Sequence, residues 1–142
     1  MMKIGIIGCG NLGMSILKGI KLRLPDSEVI ASKRDIKSLA NETTDKISFT
    51  TDNSDVINQC DILIIALKQY TIIPFLNEYK TQIDDKRHTV ISAATGIQIS
   101  EIEAIIKGVG VYRVMPNTAS SVNSSIHCFK SSLESLLSIL LT

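Results

Sequence analysis

Tryptophan is absent, and aromatic residues make up only 4% of the 142-residue chain. A core here must be aliphatic, built from Ile, Leu, Val and Ala. Cysteine is scarce: Cys9, Cys60 and Cys128 form no C-x-x-C pair, and their odd number and wide spacing suggest neither a zinc site nor a disulfide framework. Charge of one sign is lacking as well. Fifteen Lys and Arg against 14 Asp and Glu leave a net charge of +1, so no basic surface argues for nucleic acid or an anionic membrane as partner. The longest clean apolar run, residues 62–67, falls far short of the roughly 20 residues that a membrane-spanning helix needs. Met1-Met2-Lys3-Ile4 leads straight into a strand-like pattern with no signal-peptide pattern ahead of it, and a reducing cytoplasm is the expected compartment. What remains, 44% hydrophobic and 20% charged, is the composition of a folded soluble protein with room for one sizeable core.

Apolar runs alternate with helix-like stretches. Strands are expected at 3–7, 29–31, 47–50, 61–67, 89–93 and 111–115, each short and rich in Ile and Val. Helices are expected at 11–21, where Leu12, Ile16 and Ile20 share a face, and at 35–41, with Asp35 as cap. Further helices are expected at 54–59 and at 72–79, with Pro74 in its first turn. Another runs from 100 to 107, opened by the capping box Ser100-x-x-Glu103. A second capping box, Ser131-x-x-Glu134, opens a helix carrying Leu133, Leu136, Leu137, Leu140 and Leu141. Strands alternating with helices imply parallel pairing, and hence an α/β, doubly wound, mostly parallel Rossmann-type sheet in a single domain. That domain is placed at 1–122, with a Ser-rich segment and amphipathic helix at 123–142.

Gly8-Cys9-Gly10-Asn11-Leu12-Gly13 is a G-x-G-x-x-G between the first expected strand and the first expected helix. Its glycines have separable tasks: Gly8 for the tight turn, Gly10 for close approach of a pyrophosphate to backbone, Gly13 for close helix–strand packing. The helix N-terminus would present free N–H groups to the phosphates. A glycine turn without ligand is the plainer alternative. At the end of the second strand, where NAD-binding folds place an acid, stands Ala31-Ser32-Lys33-Arg34-Asp35. Arg34 offers a planar fork, Lys33 a point charge and Ser32 a hydroxyl, all suited to a ribose 2′-phosphate, so NADP(H) is favoured and NAD(H) is left open. The competing reading makes Asp35 the ribose acid and the two cations a solvated surface.

The remaining strand ends should line the same groove, since ligands sit beyond the carboxyl ends of parallel strands. They carry Thr51-Asp52-Asn53, Ala66-Leu67-Lys68-Gln69, Ala93-Ala94-Thr95-Gly96 and Met115-Pro116-Asn117-Thr118. His88 and His127 stand alone, without carboxylate patterns, and read as surface or structural histidines. Cys9 sits where a helix N-terminus could lower its pKa, although a small residue filling that slot explains it as well. No hydrolase, metal or P-loop motif occurs, and no residue is assigned a catalytic role.

Four segments, taken together, carry a resemblance. Met2-Lys3-Ile4-Gly5-Ile6-Ile7-Gly8-Cys9-Gly10-Asn11-Leu12-Gly13, Asp61-Ile62-Leu63-Ile64-Ile65-Ala66-Leu67-Lys68, Ile91-Ser92-Ala93-Ala94-Thr95-Gly96-Ile97 and Arg113-Val114-Met115-Pro116-Asn117-Thr118 resemble, in order and spacing, the pyrroline-5-carboxylate reductase family over residues 2–122. The resemblance implies hydride transfer from NAD(P)H to a cyclic imine, giving proline. It implies that Ile7, Gly8, Cys9, Gly10, Asn11 and Leu12 hold the pyrophosphate, and that Ser32, Lys33 and Arg34 face the adenine ribose phosphate. Asn53, Ala66, Leu67, Lys68, Ala93, Ala94 and Thr95 would contact the rest of the cofactor, with Asn117 beside them. The chain departs from the family where Lys-Pro becomes Lys68-Gln69, and where a proline and two glycines become Ala119, Asn123 and Ser125. The family's helical dimerisation domain carries a GSGPA run that no stretch here matches.

Two classes of function follow. One is a reductase of a small-molecule imine, or its cofactor-binding domain, with the C-terminal leucine stripe mediating homo-oligomerisation or docking. The plainer alternative for that helix is cover for the last sheet edge. The other class is a non-catalytic NADP(H)-binding module acting as a regulator or shortened relative.

Overall fold

The computed structural model describes residues 3–94 and 96–114. The expected Ser131 capping box, the leucine-rich helix, the domain boundary at 122, His127 and Cys128 lie outside the described residues. The described elements run, in order, β1 (Lys3–Ile7), α1 (Asn11–Arg23), β2 (Glu28–Ser32), a 3₁₀ turn (Lys37–Glu42), β3 (Ile47–Thr50), α2 (Asn53–Gln59), β4 (Ile62–Ile65), α3 (Gln69–Tyr79), β5 (Thr89–Ser92), α4 (Ile99–Ile105) and β6 (Gly110–Arg113).

All six strands pair in parallel, in the order β3-β2-β1-β4-β5-β6. Side chains alternate across the sheet, so every strand except the edge strand β3, which adds Ile47 and Phe49 to one core, feeds two. On one face Ile7, Leu63, Ile65 and Val90 pack with Val56 and Ile57 of α2, Ile72 and Leu76 of α3 and Ile102 of α4. On the other, Ile4, Ile6, Val29, Ile64 and Ile91 pack with Ile16, Leu17 and Ile20 of α1. Burial on both faces explains why β1 and β4 read as unbroken apolar runs rather than alternating ones. Gly5 is the gap in β1: a Cβ there would collide with Val56 Cγ1, so its absence lets α2 lie close on the strand.

The doubly wound α/β class is as expected, while four local details differ. The 35–41 helix is a 3₁₀ turn whose N-cap is Ile36. Asp35 sits just outside, its Oδ1 accepting from Lys37 N at 3.0 Å. Pro74 lies inside α3, because the helix opens three residues earlier than expected, at Gln69. The carbonyl deprived of its partner by Pro74 is that of Tyr70, a residue 74% exposed, where water can replace the lost donor. The capping box of α4 is Gln98 with Glu101, not Ser100 with Glu103; Gln98 N donates to Glu101 Oε2 at 2.8 Å. Finally, β4 is shorter than the 61–67 stretch. Asp61 faces water at its start, with Arg87 Nε 3.1 Å away, and Ala66 and Leu67 leave the strand at its end.

Candidate functional site

Chain direction across the sheet reverses between β1 and β4. From β1 the chain proceeds outward through β2 to β3; it then returns to β1's other side and proceeds through β4 to β5 and β6. Loops leaving β1 and β4 therefore part to opposite faces and leave a crevice at the carboxyl edge. The turn after β1 is the first wall of that crevice.

Each glycine of the turn shows its own steric reason. Gly8 has φ +88°, and a Cβ there would lie 2.7 Å from Leu67 Cδ2 and 3.2 Å from the Ala66 carbonyl oxygen. Gly13 sits in the first turn of α1, where a Cβ would come within 2.5 Å of the Gly8 carbonyl oxygen. Gly10 is the opposite case: among the described residues nothing lies within 4 Å of its missing Cβ. It is the N-cap of α1, has no side chain to cap the helix, and no acid stands in the first turn. A helix leaves its first N–H groups without intrahelical acceptors, so an open, exposed cradle of donors faces the crevice. Size, polarity and openness fit a pyrophosphate.

The turn is fastened to β2. Cys9 N donates to the Ser32 carbonyl at 2.7 Å, and Gly8 N donates to Ser32 Oγ at 3.3 Å. Ser32 is buried, so its side chain first of all holds the turn. Lys33 N donates to Thr50 O at 3.0 Å, which fixes the chain as it leaves β2, and Arg34 then stands exposed. The Asp35 carboxylate accepts from Lys37 N, a local turn contact rather than the expected helix cap, a place that Ile36 takes. Asp52 Oδ1 caps α2 through Ser54 N at 2.9 Å, and Asn53 opens the helix, half-buried. Burial pushes the Tyr79 hydroxyl's pKa up, the Glu78 and Asp52 carboxylates add to this, and hydrogen bonds from Asn53 and Ser54 oppose it.

The second wall comes from β4 and β5. Ala66 N donates to Ile7 O at 2.9 Å, and Leu67 packs against Gly8. Lys68 is exposed at the N-cap of α3. Ala93 and Ala94 are buried, with Ala93 N donating to Ile65 O at 3.0 Å. The structure thus gathers Ile7 to Gly13, Ser32, Lys33, Arg34, Asn53, Ala66, Leu67, Lys68, Ala93 and Ala94 at one sheet edge; Thr95 and Asn117 lie outside the described residues. Sequence reasoning missed one contact at this edge. Gln69 Nε2 donates to the Gly96 carbonyl at 3.2 Å. The two residues are 27 apart, and no local pattern signals the pairing.

Titratable groups elsewhere prove structural. His88 is buried; its Nδ1 accepts from Asp84 N at 2.8 Å, so Nε2 carries the proton and donates to Ile57 O, also at 2.8 Å. That carbonyl belongs to the last turn of α2, which leaves it without a helical donor. Burial pushes the Cys9 thiol's pKa up, against the lowering pull of Lys33, so the thiol fills a slot as a small apolar group. Burial, then the Asp61 carboxylate, push Cys60 up to about 12. Among the described residues no group of His, Cys, Asp or Glu is placed to hold a metal ion, and no helix is long and apolar enough to cross a membrane.

Compared with known proteins, residues 3–96 match the family described as NADP oxidoreductase, coenzyme F420-dependent. The pyrroline-5-carboxylate reductase of Methanosarcina acetivorans is 34% identical over 127 residues, covering 87% of this chain and 47% of the relative. Among solved structures, a pyrroline-5-carboxylate reductase of Coxiella burnetii matches with a TM-score of 0.74 at 29% identity, over 84% of this chain and 45% of that one. Plasmodium falciparum pyrroline carboxylate reductase, solved with NADP bound, matches in fold with a TM-score of 0.67 at 18% identity, over 92% and 55%. The chain spans about half the length of these relatives.

Proposed function

This chain belongs to the NADP oxidoreductase, coenzyme F420-dependent family, and from that premise we propose that it forms the cofactor-holding part of a pyrroline-5-carboxylate reductase using NADP(H). The observation that carries the proposal is the contrast within the glycine turn. Gly8 and Gly13 are glycines because backbone and side chains crowd them, whereas Gly10 is bare where none of the described residues crowds it. Open space kept free beside helix N–H groups fits a bound phosphate.

When bound, the reduced nicotinamide supplies the hydride that converts the cyclic imine to proline. The chain's own part is to hold and orient. The turn and the N-terminus of α1 seat the pyrophosphate. Lys33 and Arg34 meet the 2′-phosphate, a reading supported by the planar fork of the exposed Arg34 at the end of β2. Ala66, Leu67, Ala93 and Ala94 are small or apolar and allow close approach along the second wall. We place residues 1–122 as the dinucleotide-binding domain of a cytoplasmic enzyme that acts on a small imine, with residues 123–142 contributing to self-association through their leucines.

Calorimetric titration with NADPH and with NADH tests the reading, followed by an assay of pyrroline-5-carboxylate reduction. NADPH is expected to bind at least about tenfold more tightly, the scale of one charge-assisted contact. Turnover then supports the reductase, and tight binding without turnover supports a non-catalytic NADP(H)-binding module. Binding of neither nucleotide removes the cofactor assignment.

A further inference from the structure

Beyond the last strand pair, Ile65 with Ser92, the chains leaving β4 and β5 diverge, one into α3 and the other into a loop. The Gln69–Gly96 hydrogen bond joins them again at 3.2 Å. Gly96 has φ +83°, and a Cβ there would lie 2.6 Å from Cδ, Oε1 and Nε2 of Gln69 alike. The amide therefore lies flat on a stretch of backbone that only glycine leaves bare in this conformation. Lys68 immediately precedes Gln69, and Ala93 and Ala94 shortly precede Gly96, so the tie connects the two loops that make the second wall of the crevice.

We propose that Gln69 is a positioning residue. By holding the Gly96 carbonyl it fixes the separation of the loops after β4 and β5, and so the seat of NADPH between them. The role rests on the cofactor reading above. The ladder's last backbone bond is Ala93 N to Ile65 O at 3.0 Å, and Ala94 and Ile97 pack into the core; beyond Ala93 the Gln69 side chain ties the two loops to each other at Gly96. Gln69 is itself exposed and outside both cores, so its removal leaves the packing of the sheet intact.

Gln69→Met keeps the length of the side chain and removes the donor. The expected result is an NADPH dissociation constant raised about five- to tenfold, the scale of one lost hydrogen bond. Emission from the bound reduced nicotinamide should shift toward that of the free cofactor. Amide hydrogen exchange at Gly96 and Ile97 of the free protein should accelerate, with little change in the unfolding midpoint. In a double-mutant cycle, Gly96→Ala should weaken NADPH binding less in a Gln69→Ala background than alone, because the colliding side chain is gone. Unchanged affinity and emission in Gln69→Met, with the wild type binding NADPH, overturn the role of Gln69 and leave the cofactor reading standing. A wild-type chain that binds no NADPH overturns both.

Discussion

The turn after β1 and the loop after β5 both rely on a glycine at positive φ, yet they are held by different means. Gly8 is wedged between Leu67 and the Ala66 carbonyl, and its own carbonyl lies under α1 at Gly13. The nearest backbone, the Ala66 carbonyl and α1 at Gly13, cannot give. The three atoms nearest the missing Cβ of Gly96 all belong to the end of the Gln69 side chain, which can. One wall of the crevice is thus set by backbone crowding, and the other by Ala93, Ala94 and Ile97 packed in the cores together with one exposed hydrogen bond from Gln69. In the proposed cofactor site the phosphate end is the rigid one, and the far end includes a side chain that can adjust.

The sharpest way to break that contrast is at Gly13. Gly13→Ala drives a Cβ into the Gly8 carbonyl, so the helix must shift off the strand. Denaturant unfolding should show a loss of about 2–4 kcal/mol, and NADPH binding should vanish with it. Gly10→Ala is the matched control. Its φ of −83° suits alanine and its surroundings are empty, so stability should change by less than about 1 kcal/mol. NADPH affinity should nevertheless fall on the order of a hundredfold, because the methyl occupies the phosphate's place. Equal stability losses in the two variants would erase the distinction between a crowded glycine and an open one. A smaller effect is expected at the β2 end. Arg34→Ala should weaken NADPH binding roughly tenfold and leave NADH unchanged in parallel titrations; equal losses for both nucleotides would detach Arg34 from the 2′-phosphate.

The smallest effect concerns the packed side alone. Cys60, beneath Gly5, stays protonated up to about 12 in the folded chain, against an ordinary value of 9.0. The unfolded thiol ionises first, so this group's contribution is whole below pH 9 and declines as pH rises from there toward 12. Melting curves between pH 9 and 11 should fall more steeply for the wild type than for Cys60→Ala.

The rigid wall was the legible one. Turn, close packing and phosphate approach are backbone requirements written into six consecutive residues, and Gly8, Gly10 and Gly13 occupy their expected places. The parallel sheet was legible because burial on both faces leaves β1 and β4 unbroken in Ile and Leu. Cap positions were less so. Ser100 and Glu103 match the capping pattern better than Gln98 and Glu101 do, and what decides is tertiary: Ile97, Ile102 and Ile106 all enter the core, which sets where α4 begins. Pro74 suggested a first turn, but the helix starts where the chain leaves β4, and Tyr70's exposure makes the interior proline tolerable. The Gln69–Gly96 tie had no signal at all, since it depends on two loops brought together only by the strand order.

His88 gives the sheet a fixed point. Its ring clasps the Asp84 turn on one side and the end of α2 on the other, and beside it Arg87 meets Asp61. All of these lie at the amino ends of β4 and β5, opposite the loops that flank the crevice. The strands are therefore clamped at one end and put to use at the other: the buried ring ties β5's entry to α2, and the loops that flank the crevice leave from the opposite ends.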